Sequence, residues 1–208
     1  MSIYKKIEHT LLRLDTTLEQ IEKDLKLCID LGVRTIVVPP SMVQSVSKML
    51  KGNILLCSVA GFPNGYTDLS IKKNEILNLF DRGCVEVDIV PDHTLFFSGK
   101  LDLYKEHLDQ FRKLTDKPLK IIVETSLYNP KQILEIAEMI YQSGIDYFKT
   151  STGFNGDGAR LSDVVMVKNK FNDKLKIKAS GGIRTLGDAE KFINAGVDLI
   201  GTSSTFKF

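Results

Sequence analysis

The chain has 208 residues, 43% hydrophobic and 26% charged, the balance of a globular protein with room for one sizeable core. A formal net charge of +2 is too small to point to nucleic acid or an anionic membrane as partner. No apolar run is long enough to span a bilayer, and Met1-Ser2-Ile3-Tyr4-Lys5-Lys6 lacks a signal-peptide core; with three cysteines (Cys28, Cys57, Cys84) and no Cys-x-x-Cys spacing, a reducing, cytoplasmic setting is expected.

Short apolar runs alternate with amphipathic segments along the whole chain. Candidate strands cover 7–10, 35–38, 54–60, 85–90, 119–124, 147–151, 175–179 and 199–202. Several are near-continuous Val, Ile and Leu, as parallel strands buried under helices require. Between the first two, Leu18, Ile21, Leu25 and Cys28 recur at helical spacing; Thr16 and Glu19 read as a capping box, and Gly32 as the stop. Asn129-Pro130 opens a later helix with Ile133, Ile136, Ala137, Ile140 and Tyr141 expected inward, closing near Gly144. Thr185 is placed to cap another, carrying Ala189, Phe192 and Ile193, with Gly196 after it. Eight strands with about seven helices fit a single (β/α)8 TIM barrel spanning residues 1–208. Its last helix would be short or missing, since the eighth strand stands a few residues before Phe208. A doubly wound open sheet is the alternative, because periodicity cannot reveal closure.

Lys149, in Phe148-Lys149-Thr150-Ser151-Thr152-Gly153, and Lys178, in Ile177-Lys178-Ala179-Ser180-Gly181-Gly182, stand near the ends of two apolar runs. A lysine there is costly to desolvate unless paired or used. Either alone reads equally well as a side chain snorkelling from a strand end. Two on successive strands would depress each other's pKa, and a neutral lysine amine attacks carbonyls. Lys176 shares the face of Lys178 but lies further from the strand's C-terminal end, so it is expected to be structural. Asp88, near the end of the fourth run, would partner the lysines and move protons, or form a plain ion pair; Glu86 has the same parity, and pattern alone does not choose between them. Gly181-Gly182 after the seventh run and Gly201-Thr202-Ser203-Ser204 after the eighth occupy the usual phosphate-binding positions of a barrel. Arg184 reads either as a phosphate ligand or as a helix-start ion pair. His9, His93 and His107 have no metal-ligand spacing, and no Gly-x-Gly-x-x-Gly or Walker sequence occurs, so neither a metal nor a cofactor is expected.

These motifs identify a resemblance. Ile7-Glu8-His9-Thr10-Leu11-Leu12, Gly61-Phe62-Pro63-Asn64-Gly65, Glu86 to Val90, Lys120 to Thr125, Phe148 to Phe154, Lys178 to Thr185 and Gly201 to Ser204 together resemble deoxyribose-phosphate aldolases over nearly the whole chain. The resemblance implies a metal-free class I aldolase that interconverts 2-deoxy-D-ribose 5-phosphate with D-glyceraldehyde 3-phosphate and acetaldehyde. It implies Lys149 as the Schiff-base nucleophile, Lys178 as the neighbour that lowers its pKa, and Asp88 in the proton relay. Gly153, Gly181, Gly182, Ser203 and Ser204 would surround the phosphate, and a homodimer is expected. Three features depart from the family pattern. Glu8 replaces a frequent Asp, Val37-Val38 stands where a cysteine is common, and Thr205-Phe206-Lys207-Phe208 has no tyrosine of the kind some members carry in a tail. A class I aldolase for another phosphorylated sugar and a catalytically silent phosphosugar-binding barrel are the competing readings.

Overall fold

The computed structural model describes residues 2–207. The elements follow in the order β1 (Ile7–Thr10), α1 (Leu18–Leu31), β2 (Thr35–Val37), α2 (Val43–Met49), β3 (Leu55–Ala60), α3 (Leu69–Asp81), β4 (Glu86–Ile89), α4 (His93–Phe97), α5 (Leu101–Arg112), β5 (Leu119–Ile122), α6 (Pro130–Gln142), β6 (Tyr147–Lys149), α7 (Leu161–Phe171), β7 (Lys176–Ser180), α8 (Leu186–Asn194) and β8 (Leu199–Thr202). All strands are parallel and each pairs with its sequence neighbour; β1 also pairs with β8, Glu8 opposite Gly201, so the sheet closes into a barrel and the open-sheet alternative is excluded. After β8 the described residues form only a 3-10 turn, Thr205–Lys207.

Local signals explain the helix ends. Gly32 ends α1 in left-handed backbone at φ 69, where glycine carries no Cβ penalty. The cap at its start is Thr17, which accepts the Gln20 N–H, not the expected Thr16. Asn129 and Gln132 form a full capping box on α6, and Thr185 caps α8. Tyr141, expected inward on α6, is 39% exposed: it lies past the end of the buried stripe Ile133, Ile136, Ala137 and Ile140, beside the ring of Phe171.

The strands obey period 2. Outward residues such as Ile7, Ile36, Leu56, Val87, Ile121, Phe148, Ile177 and Ile200 are buried under the helices and form one continuous core. The inward set is different. Glu8, Thr35, Cys57, Glu86, Asp88, Lys120, Lys149 and Lys178 point into the barrel, and the register levels Asp88 with Lys120 and Lys149 with Lys178. The interior is thus filled by charge where most barrels use branched aliphatics. A small apolar group, Val37, Cys57 and Val59 with Leu12 and Phe62, packs separately from the main core.

Candidate active site

The interior charges stack in layers. Arg34, just before β2, donates to Glu8 Oε1 at 2.9 Å and to Glu86 at 2.7 and 3.0 Å. Lys120 Nζ lies among Glu86 Oε2 (3.2 Å), Glu8 Oε1 (3.4 Å) and Asp88 Oδ1 (3.1 Å). The other oxygen of Asp88, Oδ2, takes Lys149 Nζ at 2.7 Å and Lys178 Nζ at 2.6 Å, and Lys178 also donates to Glu8 Oε2. Both carboxylates of β4 therefore face inward. Asp88 meets the lysine pair; Glu86 lies one layer down, with Arg34 and Lys120. Lys176 is exposed at the far end of β7, over the Tyr147 ring, as a structural lysine should be.

Counting charges explains which amine is reactive. The connected cluster holds three carboxylates (Glu8, Glu86, Asp88) and four basic side chains (Arg34, Lys120, Lys149, Lys178). It is neutral only when one base gives up its proton, and Arg34 cannot. Burial opposes the charge on Lys178 and Lys120, but Asp88 and Glu8 outweigh it for Lys178, as Asp88 foremost does for Lys120, and both are held above the usual lysine range. Lys149 touches one carboxylate only. Burial lowers its pKa, Asp88 opposes and Lys178 adds repulsion, and the balance is downward. The mutual depression that their sequence spacing predicts is one-sided: Lys178 helps to lower Lys149 but itself rises, because Asp88 and, from β1, Glu8 hold its charge. Burial pushes Asp88 up, but Lys120, Lys149 and Lys178 together hold it well below the usual carboxylate range. Glu86, against the same burial, is drawn down to about 2 by Lys120 and Arg34. Glu8 is raised by burial, against the pull of Lys120 and Lys178.

Lys149 is also the member of the cluster that opens outward. It lines a cavity of about 300 Å³ at the C-terminal ends of the strands, where barrel chemistry sits. Thr10, Gly153, Ser180, Gly181, Gly182, Arg184 and Ser203 form other parts of its wall. Among the described residues, no hydrogen bond takes up the N–H groups of Gly153, Gly181, Gly182 or Ser203. Gly181 is in left-handed backbone at φ 85, and a Cβ there would approach Gly158 Cα to 2.9 Å, so only glycine lets the two loops meet. Ser204 does not line this cavity, and its N–H donates to Thr202 Oγ1 at 2.9 Å. Gly201, read from sequence as part of the anion loop, lines the cavity and has a second duty: a Cβ on it would come within 2.9 Å of Lys178 Cε. It leaves room for that lysine to cross the barrel.

Among the described residues, Glu8, Cys57 and Glu86 form a group with metal-ligand atoms within 4.8 Å of one another. Lys120 Nζ already sits 3.4 Å from Glu8, 3.2 Å from Glu86 and 3.7 Å from Cys57 Sγ, and supplies the positive charge there. Cys57 stands on β3 directly across from Val37, so the thiol absent from the second strand is present one strand over.

Sequence reasoning singled out Lys149, Lys178 and Asp88 and did not single out Lys120 or Arg34. The signal for Lys120 was available: it interrupts Leu119-Lys120-Ile121-Ile122-Val123 just as Lys149 interrupts its own run. Arg34 precedes its strand, and no pattern sends it inward.

No family model matches the chain. Among curated proteins it is 37% identical over 206 residues to the deoxyribose-phosphate aldolase of Clostridioides difficile (strain 630), covering 99% of this chain and 94% of that one. It is 35% identical to the deoxyribose-phosphate aldolase of Streptococcus pyogenes serotype M12, covering 99% and 92%. Among solved structures, an aldolase designated QR15 superposes with a TM-score of 0.96 at 34% identity, covering 100% of this chain and 94% of that one. The tetrameric deoxyribose phosphate aldolase of Aeropyrum pernix superposes with a TM-score of 0.89 at 30% identity, covering 99% and 88%.

Proposed function

This chain belongs to the deoxyribose-phosphate aldolase family, and on that premise we propose that it interconverts 2-deoxy-D-ribose 5-phosphate with D-glyceraldehyde 3-phosphate and acetaldehyde through a Schiff base on Lys149. The observation that carries this reading is Lys149 itself: a buried amine, the surplus base of its cluster, on the wall of the substrate-sized cavity.

In this reading neutral Lys149 attacks C1 of the open-chain sugar. The carbinolamine loses water once a proton reaches its hydroxyl, leaving an iminium. A base removes the C3 hydroxyl proton, the C2–C3 bond breaks, and its electrons pass into the iminium to give an enamine and glyceraldehyde 3-phosphate. Protonation of C2 and addition of water release acetaldehyde and restore the amine. Asp88 carries protons between these steps, and Lys178 stays charged beside it to stabilise developing negative charge. The Lys149 nitrogen is uncharged in the free amine and the carbinolamine and positive in the iminium, so Asp88 binds a proton more readily before dehydration and releases it more readily once the iminium has formed. The free N–H groups of Gly153, Gly181, Gly182 and Ser203 receive the phosphate, with Arg184 on the same wall. Ser204 contributes by holding the turn after β8, through its bond to Thr202.

Three buried free cysteines suit a reducing, cytoplasmic setting, and no helix of the described residues is long and apolar enough to cross a membrane. A homo-oligomer, a dimer at the least, belongs to the same reading; light scattering of the purified protein tests it. The decisive experiment is borohydride reduction in the presence of acetaldehyde, followed by peptide mass spectrometry and product analysis with deoxyribose 5-phosphate. Label on Lys149 and glyceraldehyde 3-phosphate as product are expected. Label on another lysine, or no label with a folded protein, sinks the proposal. A different aldehyde product from another sugar phosphate would redirect the substrate while keeping the imine.

A further inference from the structure

Glu124 follows β5 in left-handed backbone, at φ 54 and ψ 60. Among the described residues, only Asn172 shares a positive φ without being glycine. Such a conformation costs energy in any residue with a Cβ, and strained residues of this kind cluster at functional sites. Glu124 is also a carboxylate only 2% exposed, at the catalytic end of the barrel.

The strain aims the side chain at one target. Its Oε2 accepts the backbone N–H of Thr152 at 3.1 Å and also the Thr152 hydroxyl. The Thr152 oxygen in turn accepts the N–H groups of Phe154 (3.1 Å) and Asn155 (3.3 Å). One carboxylate oxygen thereby fixes the turn that brings Thr152, Gly153 and Phe154 to the cavity wall. From the opposite side, Asn155 Nδ2 donates to Pro63 O and Asn64 Oδ1, both at 3.0 Å, so the turn hangs between the loops after β3 and β5. The other oxygen, Oε1, is buried and has no hydrogen-bond partner among the described residues. Burial raises the pKa of Glu124, against its bonds to Thr152 and the charge of Lys149, and an amide oxygen would serve the Thr152 bonds as well as an acid does.

Resting on the aldolase reading above, we infer that Glu124 is a positioning residue: its oxygen holds the Thr152–Phe154 turn so that the Gly153 N–H meets the substrate phosphate.

Three variants test this. Glu124→Gln keeps the acceptor. Glu124→Asp keeps a carboxylate that cannot reach Thr152 in the same geometry. Glu124→Ala loses the acceptor. With deoxyribose 5-phosphate, Asp and Ala should raise KM about tenfold or more, while Gln stays within about threefold of wild type. With unphosphorylated 2-deoxyribose, kcat/KM should be nearly the same in all three. If Ala fails to fold, the Gln and Asp pair still decides. Equal KM for all variants, equal losses on both sugars, or a Gln variant as impaired as Asp overturns the positioning role. Borohydride labelling of Lys149 by acetaldehyde should persist throughout; its absence in the wild-type protein would count against the aldolase reading, whereas labelling that persists without the substrate split counts against Glu124 alone.

Discussion

Replacing Lys120 by Met tests the charge count directly. Lys120 is fully buried and does not line the substrate cavity, so a variant that merely loses a contact should leave the chemistry alone. The count predicts otherwise. With Lys120 gone, three carboxylates face Arg34, Lys149 and Lys178, and the cluster is neutral only if Lys149 keeps its proton. Lys120 and Lys149 bond opposite oxygens of Asp88, at 3.1 and 2.7 Å, which places the two nitrogens roughly 6–8 Å apart. At an effective dielectric of about 20, their repulsion is about 2 kcal/mol. Removing it should lower the neutral fraction of Lys149 at pH 7 roughly thirty-fold. kcat/KM should fall by a similar factor, and the acid limb of its pH profile should move to higher pH, so that activity is partly recovered in alkaline buffer. Stripping a buried cation from its carboxylates also costs on the order of 3–5 kcal/mol of stability, so a denaturant melt must accompany the kinetics. The double variant Lys120→Met, Glu8→Gln restores the balance, with two carboxylates against Arg34 and Lys178, and its acid limb should return toward wild type. A single variant with an unmoved profile, or a double variant shifted as far as the single, refutes the charge-balance account.

Lys149→Ala should abolish turnover and borohydride labelling while the thermal melt changes little; residual turnover above about one part in a thousand would point to another nucleophile. Unphosphorylated 2-deoxyribose should be poorer by about 2–4 kcal/mol in transition-state stabilisation, and Ser203→Asp should erase most of that advantage by repelling the phosphate; equal losses on both sugars would place the anion elsewhere. EDTA should leave the rate unchanged, because the ammonium of Lys120 occupies the centre of the Glu8, Cys57 and Glu86 group; inactivation reversed by added zinc would contradict this. Glu86 has a folded pKa drawn down to about 2, below its ordinary value, so its stabilising share is full above about pH 4.5 and is lost as the pH falls toward 2. Acid melts should therefore steepen over that interval by on the order of 3 kcal/mol, and Glu86→Gln should flatten them.

The barrel was legible in the sequence because a parallel strand buried on both faces writes a recognisable run, and glycine and caps punctuate the helices. Four expected strands extend past the observed strands at their C-terminal ends, as in 147–151 against Tyr147–Lys149. The reason is physical: Thr150 and Ser151 are fully buried like strand residues, and Thr150 still donates its N–H to Lys178 O at 3.0 Å and accepts the Thr125 N–H at 2.9 Å. Burial and single backbone bonds outlast the regular strand at the catalytic end, and sequence records burial.

The candidate site was legible residue by residue and illegible as a circuit. Lys149 and Lys178 read as equivalent along the chain: each stands at a strand end, each precedes glycine, and register places them side by side. What separates them comes from elsewhere in the ring. Glu8 reaches Lys178 from β1, and Gly201 on β8 clears the path, so that lysine is saturated with negative charge and closed off. Lys149 has Asp88 alone and faces the cavity. Arg34 and Lys120 then fix the sign of the remainder, by satisfying Glu86 and the far oxygen of Asp88. A reactive amine here is a property of seven side chains drawn from before and along six strands. No local window holds that sum, and only closure of the barrel brings its members within ionic reach.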